Sequence, residues 1–591
     1  MYRRVTGRGV GTDEDKALAS WYWRNLNYWH GEEGKGDVFG QGFARAEWNR
    51  DYWTGLFAHG FGLCWTTHAQ WTAEMERLLG HGRGRSVGVS GHNSFEVYLT
   101  GGAYGSGRWA LLDHDISTVI FAADGSRLLG IPEIVPRVKA LADPGHQPER
   151  QRGWRISGLA DGDAAGVYDS FHTAEYLAGY AGPPPRVHLR RGERLRRYLR
   201  PGLADGRTFV FWGRNYGTAG VPGPERSRSW VNQPERMYGS REGAGHAPGR
   251  VRFANAAYDY VPNFADGTYR EGVVGEDDGQ VTFEFRSPYV IACTPANDSA
   301  WGVYDPGGTN GLVVTARALD FPVSVSTDGG RTWHAVGGAA SVDRHVVDAT
   351  DRVKGHNQYL LRLGASAGRL ASAGLAIRTV CQTSVATIPH LRDGTNRVTF
   401  EGTGLAVTSA GPTLAQAEAR VVEGKVGSPT VTLELAPPRG EAAVTLYAAS
   451  WQASGNPPAA VKYHIEYSVD GGERWNGVVR DWQIARRPPE PAGFWSQSFA
   501  WGEVGLGGAR GPVRVRFRND GGKAYRTVEA HLAYRVARPS TTEVTFAWRG
   551  ADGAVRRASR TYPAVAGKPD SSWGFDAGDQ VETLWVEYAA R

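Results

Sequence analysis

The pattern Ser-x-Asp-Gly-Gly-x-x-Trp occurs twice in the chain, in SVSTDGGRTW ending at Trp333 and in EYSVDGGERW ending at Trp475. Each copy follows a run in which apolar and polar residues alternate, the pattern of a half-buried strand. Two consecutive glycines supply the positive φ values that a tight hairpin needs, and the Asp side chain caps backbone N–H groups of the turn. A sequence that does this twice, so far apart, needs two antiparallel sheets with one such hairpin in each. A propeller would repeat the unit roughly every 40–50 residues.

The motif resembles the Asp-box of sialidase-type proteins, where it is structural rather than catalytic. Around it, from about Ala181 to the end, the chain reads as short alternating strands such as QVTFEF, GLVVTA, PTVTLEL and PVRVRFRN, separated by glycine turns. We therefore expect two mostly antiparallel β-sandwiches with Asp-box-like hairpins, over residues 181–390 and 391–591. The 80 glycines, 21 Trp, 25 Tyr and 20 Phe suit that architecture, with glycine in the turns and aromatics in the cores. At 591 residues the chain is too long for a single core.

Residues 1–145 read differently. Thr12 or Asp13 is an N-cap candidate, and Leu18, Trp21, Tyr22, Leu26 and Trp29 follow at helical spacing. A second helix is expected near AEWNRDYWTGLFAHG. A third starts at Cys64, with Trp71, Met75, Leu78 and Leu79 on one face and Gly80 as its end. RSVGVSG, SFEVYLTG, RWALLDHD and STVIFAADGS then read as strands, and IPEIVPRVKALADPG as a last helix. Helices followed by an antiparallel sheet make an α+β unit, joined by a connection over 146–180 to the β region.

Cys64 is one of three cysteines, too few for a disulfide framework, although Cys293 and Cys381 both lie in strand-like runs and could pair. A thiol at a helix N-terminus is favoured as thiolate. Such a nucleophile needs a histidine base and a carboxylate or amide that orients the imidazole. His92 and Asp113 lie on neighbouring expected strands joined through TGGAYGSG, which brings them to one end of the sheet.

GLCW, GHNSFEVYL and RWALLD, in that order, resemble the transglutaminase-like superfamily. The resemblance covers about the first 125 residues, including the leading helix TDEDKALASWYWRNL. It implies a papain-like α+β fold at the N-terminus and a thioester mechanism on amide bonds. Cys64 would be the nucleophile, His92 the base and then acid, and Asp113 its orienting partner. The backbone N–H of Trp65 would serve an oxyanion hole, and Asn93 and Glu96 would line the cleft. Bacterial members of that group often carry an aromatic two residues after the histidine, whereas Ser94 stands here.

The net charge of +6 is mild for this length, the basic residues are mostly arginine, and no zinc-finger spacing, phosphate loop or dinucleotide fingerprint occurs. Nucleic acid is therefore not expected as a partner, and no apolar run spans a membrane. The arginine-rich stretch Arg186–Arg200 reads either as a site for an acidic polysaccharide or as a solvated strand pair. His92, Asp113, His114 and Asp115 offer a metal site only weakly, because alternation on a strand splits them between faces. No metal and no cofactor is expected. His59, His68 and His81 are assigned to the cleft or surface. The expected substrate is a protein, a peptidoglycan peptide or, in a carbohydrate-binding alternative that reuses the same cleft, a polysaccharide. We expect the protein outside the cell or at a bacterial envelope, with the cytosol as the alternative.

Overall fold

In the computed structural model of the chain, the described residues are 2–27, 29–30, 61–62, 64–114, 118–143, 166–176, 181–183, 187–200, 253–287, 290, 292–293, 306–317, 321–341, 344–411, 414–452, 460–484, 486–491, 493–496, 499–537, 540–563 and 571–591. The helix expected near 46–60 and residues 146–165 and 177–180 of the expected connection lie outside them.

Strands dominate, and they assemble into an internally duplicated pair of sandwiches. In the first, a five-stranded sheet runs in the order His334–Val336, Val323–Ser326, Gln358–Leu363, Val281–Arg286, Val273–Glu276. In the second, the order is Asn476–Trp482, Tyr463–Ser468, Val513–Asn519, Thr430–Leu435, Val421–Gly424. Counted along the chain, these are the same strands in the same places. The facing sheets match as well. Arg344–Asp348, Leu312–Ala316, Ala376–Ser384 and Phe253–Tyr260 stand side by side in one, and Phe499–Arg510, Ala442–Gln452, Tyr525–Arg535 and Leu405–Ala410 in the other.

Alternation explains the local choices. Along Val513–Asn519 the side chains of Val513, Val515 and Phe517 are fully buried in the second core. Arg514, Arg516 and Arg518 point outward to Glu434 and Glu466 on the neighbouring strands, at 2.8–3.1 Å. The two Ser-x-Asp-Gly-Gly-x-x-Trp hairpins have one geometry. Ser326 and Ser468 each donate to the Asp two residues on, at 2.8 and 2.7 Å, and each Asp accepts a backbone N–H from four residues ahead. Gly330 and Gly472 adopt φ of 94° and 101°, and the Trp of each box is covered by a strand arginine, Arg362 at 3.5 Å and Arg516 at 4.0 Å.

The self-contained transglutaminase-like α+β domain expected over 1–145, with two separate sandwiches after it, is not what forms. The N-terminal helices Asp13–Asn27 and Cys64–Leu79 do pack on a sheet, but that sheet runs Gly493–Ser496, Thr173–Tyr176, Gly84–Val89, His92–Leu99, Arg108–Leu111. One edge is thus supplied by a strand from the second sandwich, paired in parallel with Thr173–Tyr176. The segment leading to it is fastened along the same sheet. Trp109 Nε1 donates to the Arg487 carbonyl at 2.8 Å, Arg487 Nε to the Gly82 carbonyl at 3.0 Å, and Arg85 Nη1 to the Pro489 carbonyl at 2.9 Å. The last strands also return. Thr542–Arg549, Val555–Tyr562 and Glu582–Ala590 extend the first sandwich's sheet through Glu193–Tyr198, making it nine-stranded across residue 390. Backbone pairing between distant segments carries no local sequence signature, which is why alternation alone suggests a linear string of domains.

Smaller differences have local causes. The expected helix over IPEIVPRVKALADPG breaks into Ile131–Ile134, a 3₁₀ turn Val135–Arg137 and Val138–Leu141, as Pro136 cannot supply an interior N–H. STVIFAADGS forms only isolated bridges at Thr118 and Phe121. Cys293 and Cys381 are not joined by a disulfide, and both are buried. Four of the seven arginines in Arg186–Arg200 are matched by acids: Arg190 by Glu193, Arg194 by Asp259, Arg196 by Glu587 and Arg200 by Glu582. Among the described residues, no helix is long and apolar enough to cross a membrane.

Asp328 and Asp470 should each hold their own sandwich by about 1–2 kcal/mol through their turn hydrogen bonds. Asp328→Ala and Asp470→Ala should both lower the melting temperature. Amide exchange in Gly84–Val89 should speed up only in Asp470→Ala, because only the second sandwich supplies the edge strand of that sheet. Equal effects of the two variants on those amides would show that the strand is not a coupling element.

Candidate active site

The helix Cys64–Leu79 begins at the cysteine, and no acidic residue occupies its first turn. The positive end of the helix dipole therefore lies at Cys64 without a neutralising carboxylate in the first turn. Directly before it, Phe61–Gly62 pairs in parallel with Trp29–His30. Cys64 itself is half-buried.

His92 is placed by a hairpin. Gly84–Val89 and His92–Leu99 pair with Val89 opposite His92, and Gly91 turns between them at φ 64°. Asp113 lies just past Arg108–Leu111, whose register sets Leu111 opposite Glu96. This carries Asp113 back beside Ser94 and His92, where it also bridges Thr118.

The Asp113 carboxylate is fully buried and densely bonded. Oδ2 takes His92 Nε2 at 2.8 Å, Ser94 Oγ at 2.5 Å and Tyr168 OH at 2.8 Å. His68 Nε2 stands 3.6 Å from Oδ1, too far for a hydrogen bond but near enough for attraction. The Asp113 backbone carbonyl accepts Trp21 Nε1 at 2.9 Å. Burial alone would raise this carboxyl, but the charge of His92 and the contacts with His68 hold it well below the usual carboxylate range.

With Nε2 taken by Asp113, the other ring nitrogen of His92 is the one left to meet the Cys64 thiol, whose interaction favours the charged imidazole. Burial pushes the imidazole down. Attraction to Asp113, its hydrogen bond and the interaction with Cys64 outweigh that and raise it to about 10. His114 goes the other way: burial, then repulsion from His68 and Arg24, push it well below the usual histidine range and keep it neutral. Burial and the neighbouring carboxylate push the Tyr168 phenol up, so it remains a proton donor to Asp113.

The residues singled out from the sequence are thus partly united. Cys64, His92 and Asp113 form one chain of contacts, and Asn93 Nδ2 lies 3.9 Å from the Cys64 sulfur. The backbone of Trp65 sits in the first turn of the helix, and its side chain lies outside the described residues. Glu96 stands apart. It is fully buried, takes Arg85 at 2.6 and 2.9 Å through Oε2, and accepts the Ile131 N–H at 2.6 Å through Oε1. It is an internal ion-pair partner and a cap for the turn at Ile131, not a wall of the cleft. His81 pairs with Glu76 at 2.9 Å, and His59 and Asp115 lie outside the described residues. Among the described residues, no group of three or more His, Cys, Asp or Glu side chains is placed to hold a metal ion.

Three participants carry roles beyond those expected from the sequence. Ser94 shares the strand face of His92, two residues on, and His68 lies one helical turn after Cys64. Both positions follow from the periods of strand and helix. Tyr168 comes from the connecting segment and has no local signal at all.

No family model and no curated protein matches the chain. Among solved structures, dimeric latent PorU from Porphyromonas gingivalis is similar over 48% of this chain and 32% of its own, at 11% identity and TM-score 0.17. This chain therefore spans about a third of that protein's length. The CUB1-EGF-CUB2 domain of human MASP-1/3 is similar over 47% of this chain and 99% of its own, at 9% identity and TM-score 0.11. Allantoicase from Saccharomyces cerevisiae is similar over 44% and 79%, at 10% identity and TM-score 0.13. Likenesses of this size carry no argument about fold or activity, and the site has to be read from its own chemistry.

The raised imidazole gives a pH dependence with a definite sign. Stabilisation from charged His92 is complete below the free-imidazole value near 6.5 and is lost as pH rises through about 10. Stabilisation from Asp113 is present above the free carboxyl value near 3.9 and is lost on acidification below it. The melting temperature should therefore fall between pH 6.5 and 10 in the parent protein and much less in His92→Ala. A parallel decline in both proteins would rule out the ion pair as its source.

Proposed function

We propose that the protein is a thiol enzyme that cleaves or exchanges an amide bond through a Cys64 thioester. What supports this reading is above all the position of His92, held between a buried carboxylate and a half-buried thiol at the head of a helix. A charged imidazole beside that thiol favours the thiolate, which is the nucleophile.

The steps follow from the protons available. Cys64 sulfur attacks the carbonyl carbon, and the negative charge moves to the carbonyl oxygen. The Trp65 N–H, at the start of the helix, and the Asn93 amide are the donors positioned to meet that oxygen. The protonated His92 then gives its proton to the departing amine, the C–N bond breaks, and a thioester remains. Neutral His92 next takes a proton from the incoming water or amine as it attacks the thioester. The acyl group is released as an acid or a new amide, and sulfur leaves as the thiolate. Asp113 keeps its charge throughout, fixing the tautomer and plane of the ring. Ser94 and Tyr168 saturate one carboxylate oxygen and prevent the group from swinging.

A protein or cell-wall peptide is the substrate class that this chemistry serves, and water or a primary amine is the acceptor. The fold gives a reason for the attached sandwiches. The second is bonded to the helix that carries Cys64, through Trp501 Nε1 to Glu76 at 2.8 Å and Arg77 to Glu503 at 3.0 Å. Whatever that sandwich holds is thus kept at a fixed distance from the thiol.

Site-resolved iodoacetamide labelling across pH tests the reading. Cys64 should alkylate rapidly below pH 7, and His92→Ala should shift its labelling to the profile of an ordinary thiol with pKa near 8.5. Cys64→Ala should abolish turnover of glutamine-containing or wall-derived peptides, and Asp113→Asn should reduce kcat by several orders of magnitude. A Cys64 that reacts like a simple thiol in the parent protein would remove the basis for acyl transfer.

A further inference from the structure

The two sandwiches meet around a cavity of about 150 Å³, closed on a third side by the segment from Val187 to Glu193. The wall from the first sandwich includes Glu284 and Gln358, and the wall from the second includes Val407 and Tyr534. We propose that this cavity binds one neutral sugar unit.

The carboxylates around it are already matched. Arg190 pairs with Glu193 at 3.1 Å, and His188 pairs with Glu271. Glu284 accepts Gln358 Nε2 at 2.8 Å and has Arg420 at 3.6 Å, and Arg286 donates to Ser409 at 2.5 Å. A cationic ligand would have to break one of these pairs, and an anionic one would find only Arg286, already bound to Ser409, as counter-ion. What remains unmatched is neutral in sum: one donor and one acceptor. Arg190 Nη1 and Gln358 Oε1 are buried without a hydrogen-bond partner, on side chains that are over nine-tenths buried. Both line the cavity.

Unpartnered polar atoms in the interior cost on the order of 1–3 kcal/mol each, so their joint presence around one space points to a ligand that meets both. A hydroxyl does so at once, accepting from the guanidinium and donating to the amide oxygen. The guanidinium is held by its hydrogen bonds to Glu193. It lies 4.2 Å from the rings of Tyr260 and of Phe285, and any Cβ at Gly272, where φ is 79°, would come within 3.1 Å of Nη1. Tyr258, Tyr534 and the aliphatic wall offer the apolar contact that sugar C–H faces need. The volume is below the roughly 300 Å³ at which drug-sized sites begin, which limits the occupant to a single ring. An adjoining cavity of about 420 Å³ shares Val187, His188, Glu271 and Leu405, so that ring can be free or part of a chain.

The full chain should be titrated with methyl glycosides of neutral hexoses, pentoses and N-acetylhexosamines, with uronic and amino sugars as charged counterparts, by saturation-transfer NMR and calorimetry. At least one neutral glycoside should bind. Gln358→Leu should weaken it at least tenfold, and Val407→Phe, from a half-buried position on the wall, should abolish it with an unchanged melting temperature. Tighter binding of the corresponding neutral oligosaccharide would identify a polymer as the source, and equal affinity a free sugar. Either supports the site. Binding should be the same in Cys64→Ala, which separates it from the acyl-transfer reading. Binding of charged sugars only, retention in both variants, or no neutral glycoside bound at millimolar concentration would overturn the proposal.

Discussion

The Asp113 carboxylate is the interaction around which the N-terminal half of the molecule is organised. A fully buried charge with no partners would cost several kcal/mol at the least. Here it is met from three separate stretches of chain: His68 comes from the Cys64 helix, His92 and Ser94 from one strand, and Tyr168 from beyond the strand layer. Trp21, from the first long helix, holds the backbone carbonyl of the same residue. These contacts can exist together only if the helices sit on the sheet at one spacing and the connection folds back over the strand ends. The same convergence that makes the charge tolerable fixes the imidazole in plane, so stability and the chemistry of the thiol have one cause.

This has a consequence for how substitutions there should be understood. Losing the carboxylate while keeping its neighbours leaves a serine hydroxyl, a phenol and an imidazole without their acceptor. Such a change disturbs packing and reactivity together. A change at Tyr168 or Ser94 is gentler, since the remaining donors still satisfy Asp113. Those two residues therefore separate orientation of His92 from survival of the fold better than Asp113 itself does.

What the sequence makes legible follows the range of the forces involved. Helix Cys64–Leu79, with Trp71 and Met75 turned inward, is written in a 3.6-residue period. The hairpins at Asp328 and Asp470 are written in their glycines, and the proximity of His92 to Asp113 in the length of one strand pair. Glu96 is misleading because a carboxylate on a strand next to His92 looks like a cleft residue. Only the buried Arg85 on the neighbouring strand, opposite it in register, reveals its structural use. Tyr168 and the strand Gly493–Ser496 are illegible for a deeper reason. Each acts through a partner hundreds of residues or several turns away, and nothing in its immediate neighbours encodes that partner.

The duplication makes that strand's role specific. In the first sandwich, the equivalent segment Gly338–Ser341 stays home and pairs antiparallel with Arg344–Asp348 on the edge of its own sheet. In the second, Gly493–Ser496 occupies the same place in the order of strands but leaves to pair in parallel with Thr173–Tyr176. An exposed edge strand is a liability in any sheet, and the copy resolves it differently from the original by covering the open edge of another domain. Trp482 and Ile484, on the way to that edge, join the hydrophobic core beneath the N-terminal sheet. The second sandwich is therefore not an appendage on a linker. It contributes a strand, core side chains and hydrogen bonds to the unit that carries Cys64, and that unit has no complete sheet without it.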